Sequence, residues 1–322
     1  MTTPVLLITF NRPEQTRCVM ETLRAYQPAN LFVFQDGARE GNAEDIERCA
    51  EVRQVIEAMA DWECNLQKYY SKVNLGCGPG PASAITWFFD NFEEGIILED
   101  DAVPHPDFFG FATELLQRYR EDKSVMAIGS MQLEGKCYGD ASYYFSKMNH
   151  TLCAWATWRR AWQHFDIKLA DLSRRDLIRI LKHYGARLRE REYWCARLEE
   201  IHKDGLNNSS WDQQFWMTIW RKGGKGIIPN VNLCSNIGFC AGATHTSSPI
   251  SPVAAQRTHA ILPLRHPTNT TIQRQADYDF QRIYFDPHNY GKEGWRNLPY
   301  RTNRRLKRLM HHKGPWFPKR KR

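Results

Sequence analysis

Hydrophobic and polar positions along the first 130 residues predict strands and helices in alternation. Candidate strands, most of them short apolar runs, lie at residues 4–10, 31–34, 67–72, 95–98 and 124–129. Helical patterns lie between them, at residues 12–26, 42–60, 82–92 and 107–120. Strands separated by helices of this length require crossover connections. The pattern therefore predicts the α/β class, with a mostly parallel sheet flanked by helices.

The second half of the chain has a different pattern. Residues 155–221 are rich in Trp and Arg, and we expect them to be mainly helical. Two short apolar runs, at residues 226–229 and 231–233, predict late strands. Residues 240–275 are rich in Ser, Thr and Pro, which indicates irregular structure.

Composition places the 322-residue chain among ordinary globular proteins, with 42% hydrophobic and 25% charged residues. Its length fits two domains, or one large α/β domain with an appended region. No apolar run approaches the ~18 residues of a transmembrane helix, and the first residues do not resemble a secretory signal. Nine cysteines without a CxxC pair favour a reducing compartment over a disulfide or zinc scaffold. We therefore expect a cytoplasmic protein.

The net charge of +8 comes from the end of the chain. Residues 294–322 contain 11 Lys and Arg and no acidic residue, which leaves a body with a net charge of −3. The basic character therefore does not indicate a nucleic-acid-binding fold. Leu306, Leu309 and Met310 have helical spacing among the cations, so the tail is either a basic amphipathic helix that contacts an anionic membrane, or a solvated or packed tail.

Three consecutive carboxylates, Glu99, Asp100 and Asp101, directly follow the predicted strand at residues 95–98. Grouped carboxylates repel one another, and a strand end does not require them. A hard divalent cation such as Mg²⁺ or Mn²⁺ would offset the repulsion, because such cations bind carboxylate and phosphate oxygens. The alternative is an acidic turn at the start of the next helix, ahead of Pro104.

Two segments carry a family resemblance. Residues 96–109, IILEDDAVPHPDFF, resemble the metal-binding motif region of nucleotide-sugar-dependent glycosyltransferases with the GT-A (Rossmann-like) fold. Residues 4–12, PVLLITFNR, resemble the opening strand and nucleotide loop of that fold. The likeness covers residues 4–245, and is closest to the inverting N-acetylglucosaminyltransferase I type and to bacterial transferases grouped with family 2.

This resemblance implies a division of the chain. Residues 1–245 would form the GT-A domain, with a nucleotide-sugar-binding half at 1–135 and a helical acceptor and catalytic half at 136–245. An irregular C-terminal extension at 246–293 and the basic tail at 294–322 would follow.

Within the acidic triplet, the resemblance implies that Asp101 is a direct ligand of Mn²⁺ or Mg²⁺. Asp100 would face the donor ribose or sugar, and Glu99 would lie near the metal or the sugar. The cation would bridge the two phosphates of a UDP-sugar and neutralise charge on the departing nucleoside diphosphate. His245 lies in a segment that resembles a late loop of related transferases, and either reaches the metal or diphosphate or is structural.

Polar residues after the first two strands are candidates for donor binding. Asp36 follows the second strand, and either accepts a hydrogen bond from uracil or ribose or forms an Asp-Gly turn. Thr9, Asn11 and Arg12 follow the first strand. They either meet the base, ribose or phosphate of the donor, or mark the start of the next helix.

A glycine-rich segment before the third helix is a further candidate for donor binding. Asn74 and Gly76 resemble the Asn-x-Gly segment that GT-A enzymes place between the base and the metal. The segment matches neither a Walker loop nor a Rossmann loop. A plain turn before the helix is the alternative.

Asp212 is the candidate general base. Ser210 and Gln213 have capping-box spacing, so a helix is predicted to start here. Asp212 then either complements the helix dipole or deprotonates the acceptor hydroxyl, as an inverting transferase requires. The preceding loop at 205–210 would be ordered by donor binding.

Trp155 and Trp158 are candidates for acceptor binding, because Trp rings stack on the faces of sugars. The alternative for both is that they pack in the core.

The function expected from these residues is metal-dependent, inverting transfer of a sugar from a nucleotide donor to a hydroxyl of a glycan or lipid-linked acceptor. A nucleotidyltransferase acting on sugar phosphates is one alternative. It normally carries a Gly-rich, Lys- or Arg-bearing loop after the first strand, which residues 10–13 do not supply. A non-catalytic basic nucleic-acid-binding protein is the other alternative, and the absence of a nucleic-acid motif argues against it.

Overall fold

The fold is described from a computed structural model, which covers residues 2–133, 135–148, 151–204, 211–238 and 256–285. The first half alternates strand and helix: β1 (Val5–Thr9), α1 (Pro13–Tyr26), β2 (Asn30–Gln35), α2 (Ala43–Met59), β3 (Asn65–Tyr70), α3 (Pro79–Asn91) and β4 (Glu94–Glu99). The second half follows: β5 (Ala102–Pro104), α4 (Pro106–Arg118), β6 (Val125–Gly129), β7 (Tyr143–Ser146), β8 (Ala154–Trp158), α5 (Arg159–Trp162), α6 (Arg174–His183), α7 (Leu188–Asp204), α8 (Asp212–Arg221), β9 (Lys225–Pro229), β10 (Cys234–Asn236) and α9 (Arg274–Phe285).

Eight strands form one sheet in the order β3-β2-β1-β4-β8-β6-β9-β7. The first four are parallel to one another, β8 is antiparallel to both of its neighbours, β9 is parallel to β6, and β7 is antiparallel to β9. Six of the eight strands therefore run in the same direction. The predicted α/β class, with a mostly parallel sheet flanked by helices, is confirmed.

The central strands read as continuous apolar runs because helices cover both faces of the sheet. Val5 and Leu7 belong to one buried cluster, whereas Leu6 and Ile8 belong to the other. Helices α1, α2 and α4 pack on the first face, and α3 packs on the second. Truncating a fully buried Leu such as Leu7 to Ala typically costs about 2–5 kcal/mol.

Several elements differ from the sequence prediction. The predicted strand at 231–233 is wrong, and the strand that forms is β10, which pairs with β5 in a separate two-stranded sheet. The Asn232 side chain accounts for this, because Nδ2 donates to the Cys234 and Arg257 carbonyls and holds the preceding backbone as a loop. β8 lies partly inside the region predicted as mainly helical.

Residues 256–285 pack against β7. Gln273 N–H donates to Phe145 O over 2.7 Å, and Ser146 Oγ donates to Asp277 Oδ1 over 2.6 Å. The extension at 246–293, predicted to be irregular, therefore contains a helix, α9. The basic tail at 294–322 lies outside the described residues. Within the part of the chain that is described, no helix is both long and apolar enough to span a membrane.

Candidate functional site

The C-terminal ends of β1, β2 and β4 bring the predicted polar clusters together. Thr9 pairs with Gln35, and Ile8 pairs with Glu99, so the three strands end at the same edge of the sheet. Phe10 N–H donates to Asp100 Oδ2 over 3.1 Å, which joins the loop after β1 to the acidic triplet. The edge of a parallel sheet where strands end is the usual ligand site of such folds.

The triplet carboxylates are crowded and poorly hydrated. Burial raises the pKa of Glu99 well above its ordinary value, and the charges of Asp101 and Asp100 raise it further. Burial also raises the pKa of Asp100 to about 7, although the Arg12 charge opposes it. The pKa of Asp101 is raised by the same burial. Ionisation of all three carboxyls is therefore unfavourable on its own, and a bound cation would stabilise their ionised forms.

Arg12 is a cationic side chain that partly compensates the charge of the triplet carboxylates. Its Nη1 contacts Asp101 Oδ2 at 2.8 Å and Asp100 Oδ1 at 3.5 Å, and all three side chains are less than one-fifth exposed. One guanidinium faces three carboxylates, so the site remains anionic when all are ionised. Arg12 thus lies at the predicted donor site, next to the acids.

A metal-compatible group lies within the triplet. Glu99, Asp101 and Cys153 each offer a ligand atom, and these atoms lie within 4.8 Å of one another. Asp101 Oδ1 is buried and has no hydrogen-bond partner among the described residues. The two carboxylates fit Mg²⁺ or Mn²⁺, which prefer oxygen ligands. The residues present therefore fit the predicted divalent cation, and the role of Asp101 as a ligand stays a prediction.

Cys153 is a member of this group that the sequence did not predict. Its carbonyl accepts a bond from Glu99 N–H over 2.9 Å, and its backbone φ is 63°, in the left-handed region. Burial raises the pKa of its thiol well above the ordinary value. A protonated thiol is a poor ligand for a hard cation, so Cys153 forms a wall of the site.

Asp36 organises the loop after β3. Its carboxylate accepts bonds from the N–H groups of Gly37, Leu75 and Gly76 at 2.8–2.9 Å. Asn74 Nδ2 lies 3.3 Å from Asp36 Oδ2 and donates to Gly37 O over 2.8 Å. The structure thus brings Asp36, Asn74 and Gly76 together, as the donor site requires. Their contact with the nucleotide stays a prediction.

Two predicted donor contacts turn away from the triplet. Thr9 is buried, and its hydroxyl donates to Phe34 O over 3.1 Å within the sheet, which corrects its predicted role as a donor contact. Asn11 Nδ2 donates to Asp45 Oδ1 over 2.7 Å, and ties the loop after β1 to the first turn of α2. Donor binding by Asn11 therefore stays a prediction.

Both tryptophans predicted to bind the acceptor belong to the core. Trp158 pairs with Glu94, at the end of β4 opposite the triplet, and its Nε1 donates to Leu116 O over 3.2 Å. Trp155 is fully buried and stacks on Trp211 with ring centroids 5.4 Å apart. Neither ring is available to a sugar in this structure, so these two predictions are wrong. Their actual role is packing.

Asp212 is the first residue of α8, and it is half-buried. Trp211 is the N-cap, without a side-chain capping bond, and the capping box predicted for Ser210 and Gln213 stays a prediction. The Asp212 charge contributes to the raised pKa of Glu99, which places it near the triplet. Its position fits both predicted roles, dipole partner and general base. Ser210 and the loop at 205–210 lie outside the described residues.

Residues 236–238, which follow β9, pack against Asp101 and Cys153. Ile237 N–H donates to Asp101 O over 2.9 Å, and Asn236 Nδ2 donates to Cys153 Sγ over 2.9 Å. A Cβ atom on Gly238 would overlap Asp101 Oδ2. These contacts could not be predicted from the sequence, because they depend on the pairing of β10 with β5. His245 lies outside the described residues, so its predicted role stays a prediction.

Gln35 was not predicted as a site residue, but it contacts the loop after β1. Its Nε2 donates to the Phe10 and Cys49 carbonyls at 3.0 and 2.8 Å, and its Oε1 accepts from Arg53 Nε over 2.7 Å. Gln35 thereby fixes the loop that carries Arg12. Its position next to Asp36, at the end of β2, could have identified it from the sequence.

Comparisons with known proteins give no family. No protein-family model matches the chain, and no curated protein matches it. Similar solved structures include an apo UDP-glucose pyrophosphorylase, with 11% identity over 72% of this chain and 93% of that one and a TM-score of 0.37. A 4-diphosphocytidyl-2C-methyl-D-erythritolsynthase from Anaerococcus prevotii DSM 20548 has 11% identity over 57% of this chain and 85% of that one, with a TM-score of 0.33.

A third similar structure is a putative glucose-1-phosphate thymidylyltransferase from Bacillus anthracis. It has 8% identity over 66% of this chain and 99% of that one, with a TM-score of 0.33. All three TM-scores are below 0.5, so these likenesses carry no argument about the function of this chain.

Proposed function

We propose that the chain is a divalent-metal-dependent glycosyltransferase with a GT-A fold, which transfers a sugar from a UDP donor to a hydroxyl with inversion. The observation that supports this most is the acidic group at the end of β4. Glu99 and Asp101 offer ligand atoms within 4.8 Å of each other, at the strand-end edge of a mostly parallel sheet, beside Arg12.

Glu99 and Asp101 would hold Mn²⁺ or Mg²⁺, which when bound supplies positive charge for the departing diphosphate. Arg12 belongs to the loop after β1 and contacts the triplet, so its guanidinium can exchange a carboxylate for a phosphate oxygen. Asp36, Asn74 and Gly76 would receive the base and ribose. Asp100, which is buried beside Phe10 N–H, would face the ribose or sugar.

Asp212 would act as the general base. The acceptor hydroxyl transfers its proton to the Asp212 carboxylate while its oxygen bonds to the anomeric carbon. The bond from that carbon to the diphosphate breaks, and the diphosphate oxygen keeps the electron pair. Attack opposite the leaving group inverts the anomeric centre, and no covalent enzyme intermediate is needed.

A nucleotidyltransferase acting on sugar phosphates is the second candidate. Arg12 favours it in one respect: it is a cation after β1, 2.8 Å from Asp101, although residues 10–13 lack the Gly-rich loop that such an enzyme normally carries. The two reactions differ in the bond that breaks: anomeric carbon to oxygen in glycosyl transfer, and phosphorus to oxygen in nucleotidyl transfer.

A panel of nucleotide-sugars with Mn²⁺, with and without pyrophosphate, distinguishes the two candidates. Glycosyl transfer predicts slow release of UDP and free sugar without pyrophosphate. Production of UTP and sugar 1-phosphate that requires pyrophosphate would replace the proposal by the second candidate. No turnover of any donor would count against both.

We also propose where the enzyme acts and which class of acceptor it uses. A glycan or lipid-linked acceptor fits a cytoplasmic enzyme whose tail at 294–322 contacts an anionic membrane through its cations. Deleting residues 301–322 tests this part, since it should reduce co-sedimentation with anionic liposomes at low salt and leave donor hydrolysis intact. Equal co-sedimentation of both forms would remove the membrane contact from the proposal.

A further inference from the structure

A cavity of about 500 Å³ lies at the same edge of the sheet as the acidic triplet, but farther along it. Its walls follow β6 and β9, which run parallel to β4 and therefore end at the same edge. The residues that line it include Gln132, Lys136, Asn230, Asn232, Arg257 and His259. None of the residues considered for the donor lines this cavity.

The cavity walls are held in place by buried amides. Gln132 Nε2 donates to Lys136 O and its Oε1 accepts from Gly135 N–H, which closes the loop after β6. Asn230 Oδ1 accepts from Tyr138 N–H over 2.7 Å, and Asn232 Oδ1 accepts from Gln132 N–H over 3.2 Å. Asn232 Nδ2 also donates to Arg257 O over 3.1 Å, so three separate segments are fixed around one space, as expected of a preformed site.

Among the described residues of the lining, the groups that remain for a ligand are cationic or neutral. Arg257 and His259 are exposed, and neither makes an ion pair with another described residue. Lys136 Nζ is already paired with Asp279 Oδ2 at 3.0 Å, so it adds little net charge. Among the described residues, no Asp or Glu lines the cavity. The described part of the lining thus favours an anion, whereas the carboxylates of the neighbouring triplet repel one.

A short stretch of chain connects the cavity to the triplet. Asn232 lines the cavity, and four residues later Asn236 donates to Cys153 Sγ beside Asp101. Four residues span at most about 14 Å of chain. A phosphorylated monosaccharide or a disaccharide can cover most of that distance, with its anion in the cavity and a hydroxyl toward the triplet.

We propose that this cavity binds the acceptor, and that the acceptor is a saccharide carrying an oxyanion, either phosphate or carboxylate. Arg257 and His259 bind the oxyanion, and the fixed loops after β6 and β9 contact the sugar. The separation of charge orients the acceptor, because its anion stays away from the carboxylates while a neutral hydroxyl approaches them. This inference rests on the proposed function, since it names the acceptor class of the same enzyme.

Saccharide binding to the full-length protein, measured by calorimetry in the presence of saturating UDP and Mn²⁺, tests the proposal. The probes are glucose 6-phosphate, glucuronate, glucose and inorganic phosphate. We expect the two anionic sugars to bind at least about ten-fold more tightly than glucose, as one charge-assisted hydrogen bond allows. We also expect glucose 6-phosphate to bind more tightly than inorganic phosphate.

Arg257→Gln should weaken both anionic sugars by about ten-fold and leave glucose unchanged. Arg179→Gln is the matched control, since Arg179 is an exposed arginine on α6, and it should bind all probes normally. Equal binding of glucose, or no effect of Arg257→Gln, would overturn the proposal. Equal binding of inorganic phosphate would show an oxyanion site without sugar recognition and would also overturn it.

Two further outcomes separate this inference from the proposed function. Binding of glucose 6-phosphate that is seen without UDP and Mn²⁺ but lost when both are saturating would place the sugar in the donor site, which overturns the inference and leaves the proposed function standing. Binding of glucose 6-phosphate that depends on Arg257, in a protein that does not bind UDP, would keep the anionic-saccharide site and remove the glycosyltransferase.

Discussion

Gly238 packs so closely against Asp101 that no side chain fits between them, because an added Cβ atom would overlap Asp101 Oδ2. The backbone fixes this arrangement: Ile237 N–H donates to Asp101 O, and Gly238 N–H donates to Asn236 Oδ1 over 2.8 Å. The pairing of β10 with β5 holds both bonds in place. A segment distant in the sequence thus sets the position of the carboxylate expected to bind metal.

Gly238→Ala should therefore weaken Mn²⁺ binding by about ten-fold or more, since the added methyl pushes the Asp101 carboxylate from its position. Thermal unfolding should change little, because the strain falls on one side chain at the edge of the sheet. Calorimetry with Mn²⁺ measures the first effect. Gly110→Ala is the control: its added Cβ meets only the end of the Leu262 side chain, and Ala favours the helix. Equal Mn²⁺ affinity in both variants would contradict the role given to Gly238.

Glu99→Gln should stabilise the metal-free protein and weaken its affinity for Mn²⁺. Burial, Asp101 and Asp100 all raise the pKa of Glu99, so its ionised form is unfavourable in the folded protein. A neutral amide of the same size removes that repulsion. Each kcal/mol recovered should raise the melting temperature by about 2–4 °C. A lower melting temperature without metal would mean that Glu99 is stabilising, and that the triplet does not lack positive charge.

Asp277 gives a prediction for the pH dependence of stability. Burial raises its pKa from 3.8 to about 6, although Lys147 and Ser146 oppose the shift. Between these pH values the folded state binds more protons than the unfolded state at this group. The contribution of Asp277 to the free energy of unfolding is therefore lost as the pH rises from below 3.8 to above 6, by about 3 kcal/mol in total.

Asp277→Asn should flatten that part of the stability curve and raise the melting temperature at pH 7. Asp279→Asn is a control on the same helix, because hydrogen bonds from Lys136 and Tyr138 lower the pKa of Asp279. Its contribution is present above the ordinary pKa and lost on acidification, so this variant should lower the melting temperature at pH 7. Thermal scans from pH 4 to 8 measure both. The same response from both variants would rule out the opposite signs expected for the two carboxyls.

Asp212→Asn should keep UDP binding but lower transfer by about 10²-fold or more, because removing a general base typically costs 10²–10⁴-fold. Asp212 lies at the start of α8, where Trp211 stacks on Trp155 and the helix should remain formed without it. Steady-state kinetics beside calorimetry with UDP separates chemistry from binding. Parallel losses in binding and turnover would favour the role of Asp212 as a dipole partner.

The order of elements could be predicted from the sequence because it depends on local pattern. β1, α1, β2 and α2 were each predicted to within one or two residues, since a buried parallel strand is apolar throughout and its covering helix is periodic. β8 was not predicted. It is an antiparallel strand between β4 and β6, which are parallel to each other. The sequence around Trp155 did not distinguish a strand from a helix.

The sequence predicted only those residues of the candidate site that directly follow the end of a strand. Asp36, Arg12 and the acidic triplet meet because the ends of parallel strands share one edge. Pairing between strands that are distant in the sequence brings Cys153, Asn236 and Gly238 to the same site. Such pairing produces no periodic pattern in the sequence. The same reasoning explains the error at Trp158, whose position at the opposite end of β4 depends on the antiparallel register of β8.

The most direct test of the central claim is calorimetric titration of UDP, with and without Mn²⁺, into the wild-type protein and Asp101→Ala. Asp101 Oδ1 is buried without a hydrogen-bond partner among the described residues, and it lies beside Glu99. We predict that the wild-type protein binds UDP tightly only with Mn²⁺, and that Asp101→Ala loses this metal-dependent binding. Metal-independent UDP binding of equal affinity in both proteins would contradict the assignment of the acidic triplet as the metal and donor site.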